Sequence, residues 1–356
     1  MSIIQLKKRN YVKRKVKAEM MDEVVLGVGF TADGWESRAG YAFLGITGHF
    51  VNSDYQLRRL TISCCPFEEA HTGENIKGIL TKEVTKVRLG PGVAKTMVTD
   101  EASNMKKGRK LEHFWNLNCS NHKLQNCIKD ARAYPENVQV DKMIQKATNL
   151  LTYARKSHFF HNKRKIRCKE NHHQFSRLQG VSNVHWNCTY QMLKRLLFHK
   201  DCIQKMDDNR DVPEMPILEI AGWRLLREIV PMLYPIEYTT KVWEHDTEPT
   251  IQLVGQEVYN LQERLVKTIK EKSTALRQED NNPQDDPGVK FAKSLLASIK
   301  KRFPNYGLRD DLTAWASLLD PKQKKVLLDE VNLTEVTKRT LEDWWKTLRW
   351  RSSQTK

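Results

Sequence analysis

Two aspartates stand where a carboxylate can do chemistry. Asp33 follows the apolar run Val24–Phe30 in VVLGVGFTADGW, and Asp100 ends AKTMVTD and leads into the small, polar stretch EASNM. Neighbouring strands lie about 5 Å apart. Two acids shown from adjacent strand ends can therefore share a divalent cation. Mg²⁺ is content with few carboxylates plus water, and phosphoryl-transfer centres clamp acids around metal ions about 4 Å apart. A strand-end Asp serves equally as a helix N-cap, so the pair acquires meaning only from the elements that carry it.

Those elements read as follows. Val24–Phe30 is a buried strand ending before Asp33, residues 40–52 a second strand and 55–67 a third. Their short links argue for antiparallel neighbours. Residues 73–87 carry Ile76, Ile79, Leu80, Val84 and Val87 on one helical face, and Pro91-Gly92 ends that helix. Residues 94–100 then form a fourth strand, reached by a crossover and so paired in parallel. A helix starting at 101–109 has Ser103 and Asn104 as local caps, and 114–132 holds a short fifth strand followed by a helix.

From 137 onward the pattern is helical. Amphipathic stretches cover 141–156, 189–206, 218–244 with interruptions at Pro231 and Pro235, and 250–276. The acidic, proline-containing run 277–288 reads as a linker before a last helical region. A mixed sheet leads and an all-helical part follows, an α/β class of chain.

Composition narrows the partners. Lysine and arginine number 60 against 43 acids, a formal charge of +17, which favours a polyanion such as DNA. Basic blocks at 106–110 (Lys106, Lys107, Arg109, Lys110) and 162–169 (with Arg164 and Lys165) suit phosphate contacts, and solvated loops account for them as well. The bases between Lys7 and Lys17 suit a nuclear address, a phosphate contact or the solvated face of a first helix. No run of 18 apolar residues exists, so no membrane span is read. Seven scattered cysteines make no disulfide framework and no CxxC pair. Cys119-x-x-His122 has zinc-ligand spacing, with Cys168 and His172 or His173 as possible partners; a packed cysteine beside a satisfied histidine is the plainer account. No GxSxG elbow or cysteine-protease signature is present.

Taken in order, TADGWESRAGYAFLGITGHFV (31–51), VTDEASNM (98–105), CSNHKLQNCIKDA (119–131), HWNCTYQMLKRLL (185–197) and EPTIQLV (248–254) resemble the hAT superfamily of DNA transposases and their domesticated, BED-zinc-finger-associated relatives. The resemblance implies an RNase H-like mixed-sheet core with an all-helical insertion and C-terminal region. Together with the periodicity and composition above, it divides the chain into a basic helix (1–22), the first part of the core (23–135), a helical insertion (136–276), the linker (277–288) and a C-terminal helical region (289–356). It makes Asp33 and Asp100 two members of a DDE triad that uses Mg²⁺ or Mn²⁺, and it sets Trp186, next to His185, beside DNA at the cleavage site. A core tryptophan is the other reading of Trp186.

At several points, one of them His185 where an arginine is expected before Trp186, the pattern departs from the family. Its upstream zinc module and its C-terminal dimerisation segment, the basis of homo-oligomers in full-length relatives, have no counterpart here. No local motif selects the third acid among Glu330, Glu335 and Glu342. The expectation is a truncated or domesticated nuclear DNA-binding protein without full transposase activity. An active transposase and a non-catalytic protein-interaction factor are the alternatives.

Overall fold

The computed structural model describes residues 27–37, 39–90, 92–178, 186–245, 248–279, 282, 286–304 and 311–323. The basic N-terminal segment, His185 and the three candidate glutamates lie outside them. The chain forms two compact units, one built on residues 1–123 with 245–249, the other on 124–244 with 250–356.

The first unit is a five-stranded mixed sheet of order β3-β2-β1-β4-β5. Strand β2 (Ala42–Val51) runs antiparallel to both β1 (Gly27–Glu36) and β3 (Leu57–Pro66). Helix α1 (Gly73–Thr85) then carries the chain over to β4 (Ala94–Thr99), which pairs in parallel with β1. After the short helix α2 (Ser103–Gly108), β5 (Trp115–Asn118) adds in parallel to β4. This is the sheet expected of an RNase H-like core.

Alternation builds its core. Val28, Phe30 and Ala32 of β1 and Leu44, Ile46 and Phe50 of β2 are buried on one face, joined by Met97 of β4. Ile76, Leu80 and Val84, spaced by four, supply the helical side of the same cluster. Gly108 is needed where α2 meets α1, because a Cβ there would sit 2.4 Å from a side-chain atom of Ile76.

The second unit is helical. It comprises most of α3 (Ser120–Ala133), then α4 (Val138–Lys156), α5 (His158–Glu170), α6 (Trp186–Phe198), α7 (Lys200–Asp208), α8 (Ile220–Trp243), α9 (Val254–Gln278), α10 (Pro287–Arg302) and α11 (Asp311–Leu319). Two readings of the sequence change here. The amphipathic run 189–206 is two helices, divided at the buried His199. Pro231 and Pro235 do not interrupt α8. Pro231 is exposed, so solvent reaches that side of the helix, while Leu226, Ile229, Leu233 and Ile236 anchor the opposite face. Phe291, Leu295 and Ile299 of α10 enter the same core cluster as α8 and α9, so the acidic connection 277–288 joins two helices of one bundle. Among the described residues no helix is long and apolar enough to cross a membrane.

Candidate functional site

Asp33 does not follow the first strand; it lies within it. β1 continues past the aspartate because its antiparallel pairing to β2 persists, with Asp33 opposite Gly45 and Glu36 opposite Ala42. On its other edge the parallel ladder to β4 stops at Thr31 and Val98. Continued by two residues, that register sets Asp33, within β1, level with Asp100, the residue just after β4. Asp33 belongs to the sheet face opposite Phe30, since side chains alternate along a strand. Asp33 is exposed and Asp100 half-buried.

Asp100 also has a local role. Its Oδ1 accepts the Ala102 N–H at 3.1 Å, in the turn that enters α2. Ser103 and Asn104, expected as caps, are instead the first residues of α2. The residue before them is Ala102, which makes no side-chain cap, and Asn104 donates its amide to the His71 carbonyl at 2.8 Å. One carboxylate oxygen of Asp100 therefore fixes the turn while the other remains as a further donor atom.

The other wall of this sheet end comes from the β5–α3 junction. The Cys119 N–H donates to the Thr99 carbonyl at 2.7 Å, which sets Cys119 beside the residue preceding Asp100. His122 lies one helical turn on. Its side-chain hydrogen bond to Cys119 raises the imidazole pKa above the ordinary histidine value, burial opposes that rise, and the charges of Asp33 and Asp100 add to it. Both acids are thus within electrostatic reach of this histidine. Asn118 Oδ1, Asn121 Oδ1 and His122 Nδ1 are buried and have no hydrogen-bond partner. Hard carboxylate oxygens with unpaired polar atoms nearby make a donor set that fits a divalent cation.

The basic blocks divide by burial. Arg109 is not available to a phosphate. Its side chain is buried and Nη1 donates to Thr99 Oγ1 at 3.1 Å and to the Leu117 carbonyl at 2.5 Å, so it ties β4 to β5. Arg164 is likewise buried, with Nη2 on the Ser176 carbonyl at 2.9 Å and the guanidinium 4.4 Å from the Phe175 ring centroid. Lys110 and Lys165 are exposed. Lys107 is exposed and pairs with Glu74; Lys106, half-buried, lies 3.8 Å from Glu101. Trp186 opens α6.

The proposed zinc partner of Cys119 and His122 falls elsewhere. Cys168 belongs to the helical unit, where its sulfur converges with His199 and Cys202. Sequence reading missed that second pair, although the H-x-x-C spacing of 199 and 202 is visible in the sequence.

A sheet of order 3-2-1-4-5, with one acid on its first strand and another just after its fourth, is the arrangement of an RNase H-like core. Residues 31–126, which hold both acids, Cys119 and His122, match the family model described as the ZBED1 RNase-like domain. That match supports a ZBED/hAT-like, transposase-derived origin for this segment of the chain. Among curated proteins no relative matches.

Proposed function

We propose that this chain is a nuclear DNA-binding protein of transposase descent that keeps a divalent-cation site at Asp33 and Asp100 without full transposase activity. The observation that supports the site is the level placement of the two acids across the β1–β4 edge, with His122 in electrostatic reach of both. Mg²⁺ or Mn²⁺ bound there would supply Lewis acidity toward a phosphodiester and a lowered pKa for an attacking water or 3′-hydroxyl. Asp33 and Asp100 would hold the ion. Asp100 would be oriented by the Ala102 N–H, and His122 would carry a proton near the reacting phosphate. The formal charge of +17 and the exposed Lys110 and Lys165 support a DNA partner.

The test joins DNA binding, cation binding and nicking of supercoiled DNA in Mn²⁺, for the parent chain beside Asp33→Asn and Asp100→Asn. The reading expects DNA affinity that falls with salt, cation binding lost in both variants, and no complete strand transfer. Affinity indifferent to salt, or cation binding unchanged in the variants, overturns it. The retained acid pair also favours a second reading, an active strand-cleaving enzyme. Strand transfer by the parent chain, abolished in both variants, would select that one.

A further inference from the structure

We propose that the helical unit contains a structural zinc site formed by Cys168, His173, His199 and Cys202. It is separate from the carboxylate site and does not depend on the function proposed above.

The three inner groups already converge. Cys168, His199 and Cys202 are all buried, and one ligand atom from each lies within 4.8 Å of the other two. No other trio of histidine, cysteine or acidic groups does so among the described residues. Cys168 Sγ is 3.8 Å from His199 Nδ1. Tetrahedral zinc, with bonds of about 2.3 Å to sulfur and about 2.0 Å to nitrogen, separates such a pair by about 3.6 Å. Two thiols and an imidazole buried this closely are a soft N/S donor set, which selects zinc over magnesium or calcium.

The backbone explains why a fourth ligand is at hand. Helix α5 ends in a Schellman turn. Asn171 is the C-cap and His172 adopts φ of 50°; the His172 N–H returns to the Lys169 carbonyl at 3.1 Å and the His173 N–H to the Cys168 carbonyl at 2.8 Å. That turn folds His173 back toward the helix end bearing Cys168. Its ring centroid is 5.1 Å from that of His199, and its Nε2 is buried with no partner. His199 and Cys202 arrive together from the α6–α7 junction and the first turn of α7. The ligand spacing is C-x4-H followed by H-x2-C.

Surrounding groups complete the case. His199 Nε2 is 2.8 Å from Ser176 Oγ, which also accepts from Arg195 Nη1 at 3.1 Å. Coordination through Nδ1 leaves the remaining proton on Nε2, where Ser176 accepts it, the outer-shell bond that metal-bound histidines commonly make. The buried Arg164 lies within electrostatic reach of both thiols, and its Nε and Nη1 have no partner. Coordination would give it two thiolate sulfurs as acceptors. The balance is one Zn²⁺ bound and two thiol protons released to solvent, leaving a neutral Zn(Cys)₂(His)₂ centre.

The experiment loads the chelator-treated, reduced full chain with Zn²⁺, then with Co²⁺ as a spectroscopic stand-in. The proposal expects one ion per chain, release of two protons, a rise in melting temperature with zinc, and a tetrahedral cobalt spectrum with thiolate charge-transfer bands. Cys168→Ser and Cys202→Ser should abolish those bands, and His173→Gln should weaken cobalt binding at least tenfold. A Cys119→Ser, His122→Asn double variant should leave the spectrum intact. No charge-transfer bands from the folded parent chain would overturn the proposal without recourse to any variant. Bands that survive Cys168→Ser, or that vanish in the double variant, would also overturn it.

Discussion

Asp33 and Asp100 stand level across the parallel edge of β1 and β4, two residues beyond the last paired rung, Thr31 with Val98. The antiparallel edge of β1 continues past Asp33 to Glu36. The pairing to β2 thus still supports β1 at Asp33, where the ladder to β4 has ended. Asp33→Asn and Asp100→Asn should each remove Mn²⁺ binding measured by calorimetry. Both should leave the melting temperature of the metal-free chain essentially unchanged, because Asp33 is exposed and an asparagine at 100 keeps an oxygen for the Ala102 N–H. Unchanged Mn²⁺ affinity in either variant would count against the site.

Arg109 and Lys110 are neighbours with opposite fates. Arg109→Ala should destabilise the fold by about 2–3 kcal/mol, the scale of hydrogen bonds from a buried charged donor to Thr99 and Leu117. Lys110→Ala should leave thermal stability alone and reduce the slope of log affinity against log salt by about one, the signature of one lost phosphate contact. Thermal melts and a salt series of DNA binding separate the two. An Arg109 variant that melts like the parent would refute the structural role.

The sheet was legible because its signals are local. Alternation in β1 and β2, the four-residue spacing of Ile76, Leu80 and Val84, and the crossover to β4 each follow from short-range pattern. The end of β1 was not legible. The local pattern ended the strand before Asp33, and only pairing to β2, a tertiary fact, keeps Asp33 to Glu36 extended. Burial of Arg109 and Arg164 was equally hidden, since a basic block looks the same whether its arginines face solvent or satisfy carbonyls. The cysteine and histidine cluster was visible only in halves. C-x4-H and H-x2-C are separated by the 25 residues between His173 and His199, and nothing in the sequence alone joins them.

His122 reports on the acids without any catalytic assay. Its raised pKa, owed first to Cys119 and then to the charges of Asp33 and Asp100, means that its contribution to stability is complete below about 6.5 and fades as pH rises through the folded value. In an NMR titration of the metal-free chain, Cys119→Ala should lower that pKa most. Asp33→Asn and Asp100→Asn should lower it by smaller amounts, and adding Mg²⁺ to the parent should lower it as well, because the cation offsets the carboxylate charge. A His122 titration indifferent to both aspartates would separate the histidine from the site.

A last prediction concerns the helical unit. Arg167 on α5 forks onto Asp211 just beyond α7, Nε to Oδ2 at 2.6 Å and Nη2 to Oδ1 at 2.9 Å, while Nη1 reaches Glu170 at 2.9 Å. The guanidinium holds the Asp211 carboxyl below its usual range. A carboxylate with a depressed folded pKa contributes stability that is present above its unfolded value of about 3.9 and is lost as pH falls through the folded one. Asp211→Asn should therefore be less stable than the parent at pH 7, and the gap should close as the pH drops below about 4. Arg167→Lys should not restore the loss, since an ammonium cannot make the two parallel bonds of the fork. Urea melts from pH 7 down to pH 3 would decide it: parallel stability curves for parent and Asp211→Asn would mean that the pair adds nothing to the fold.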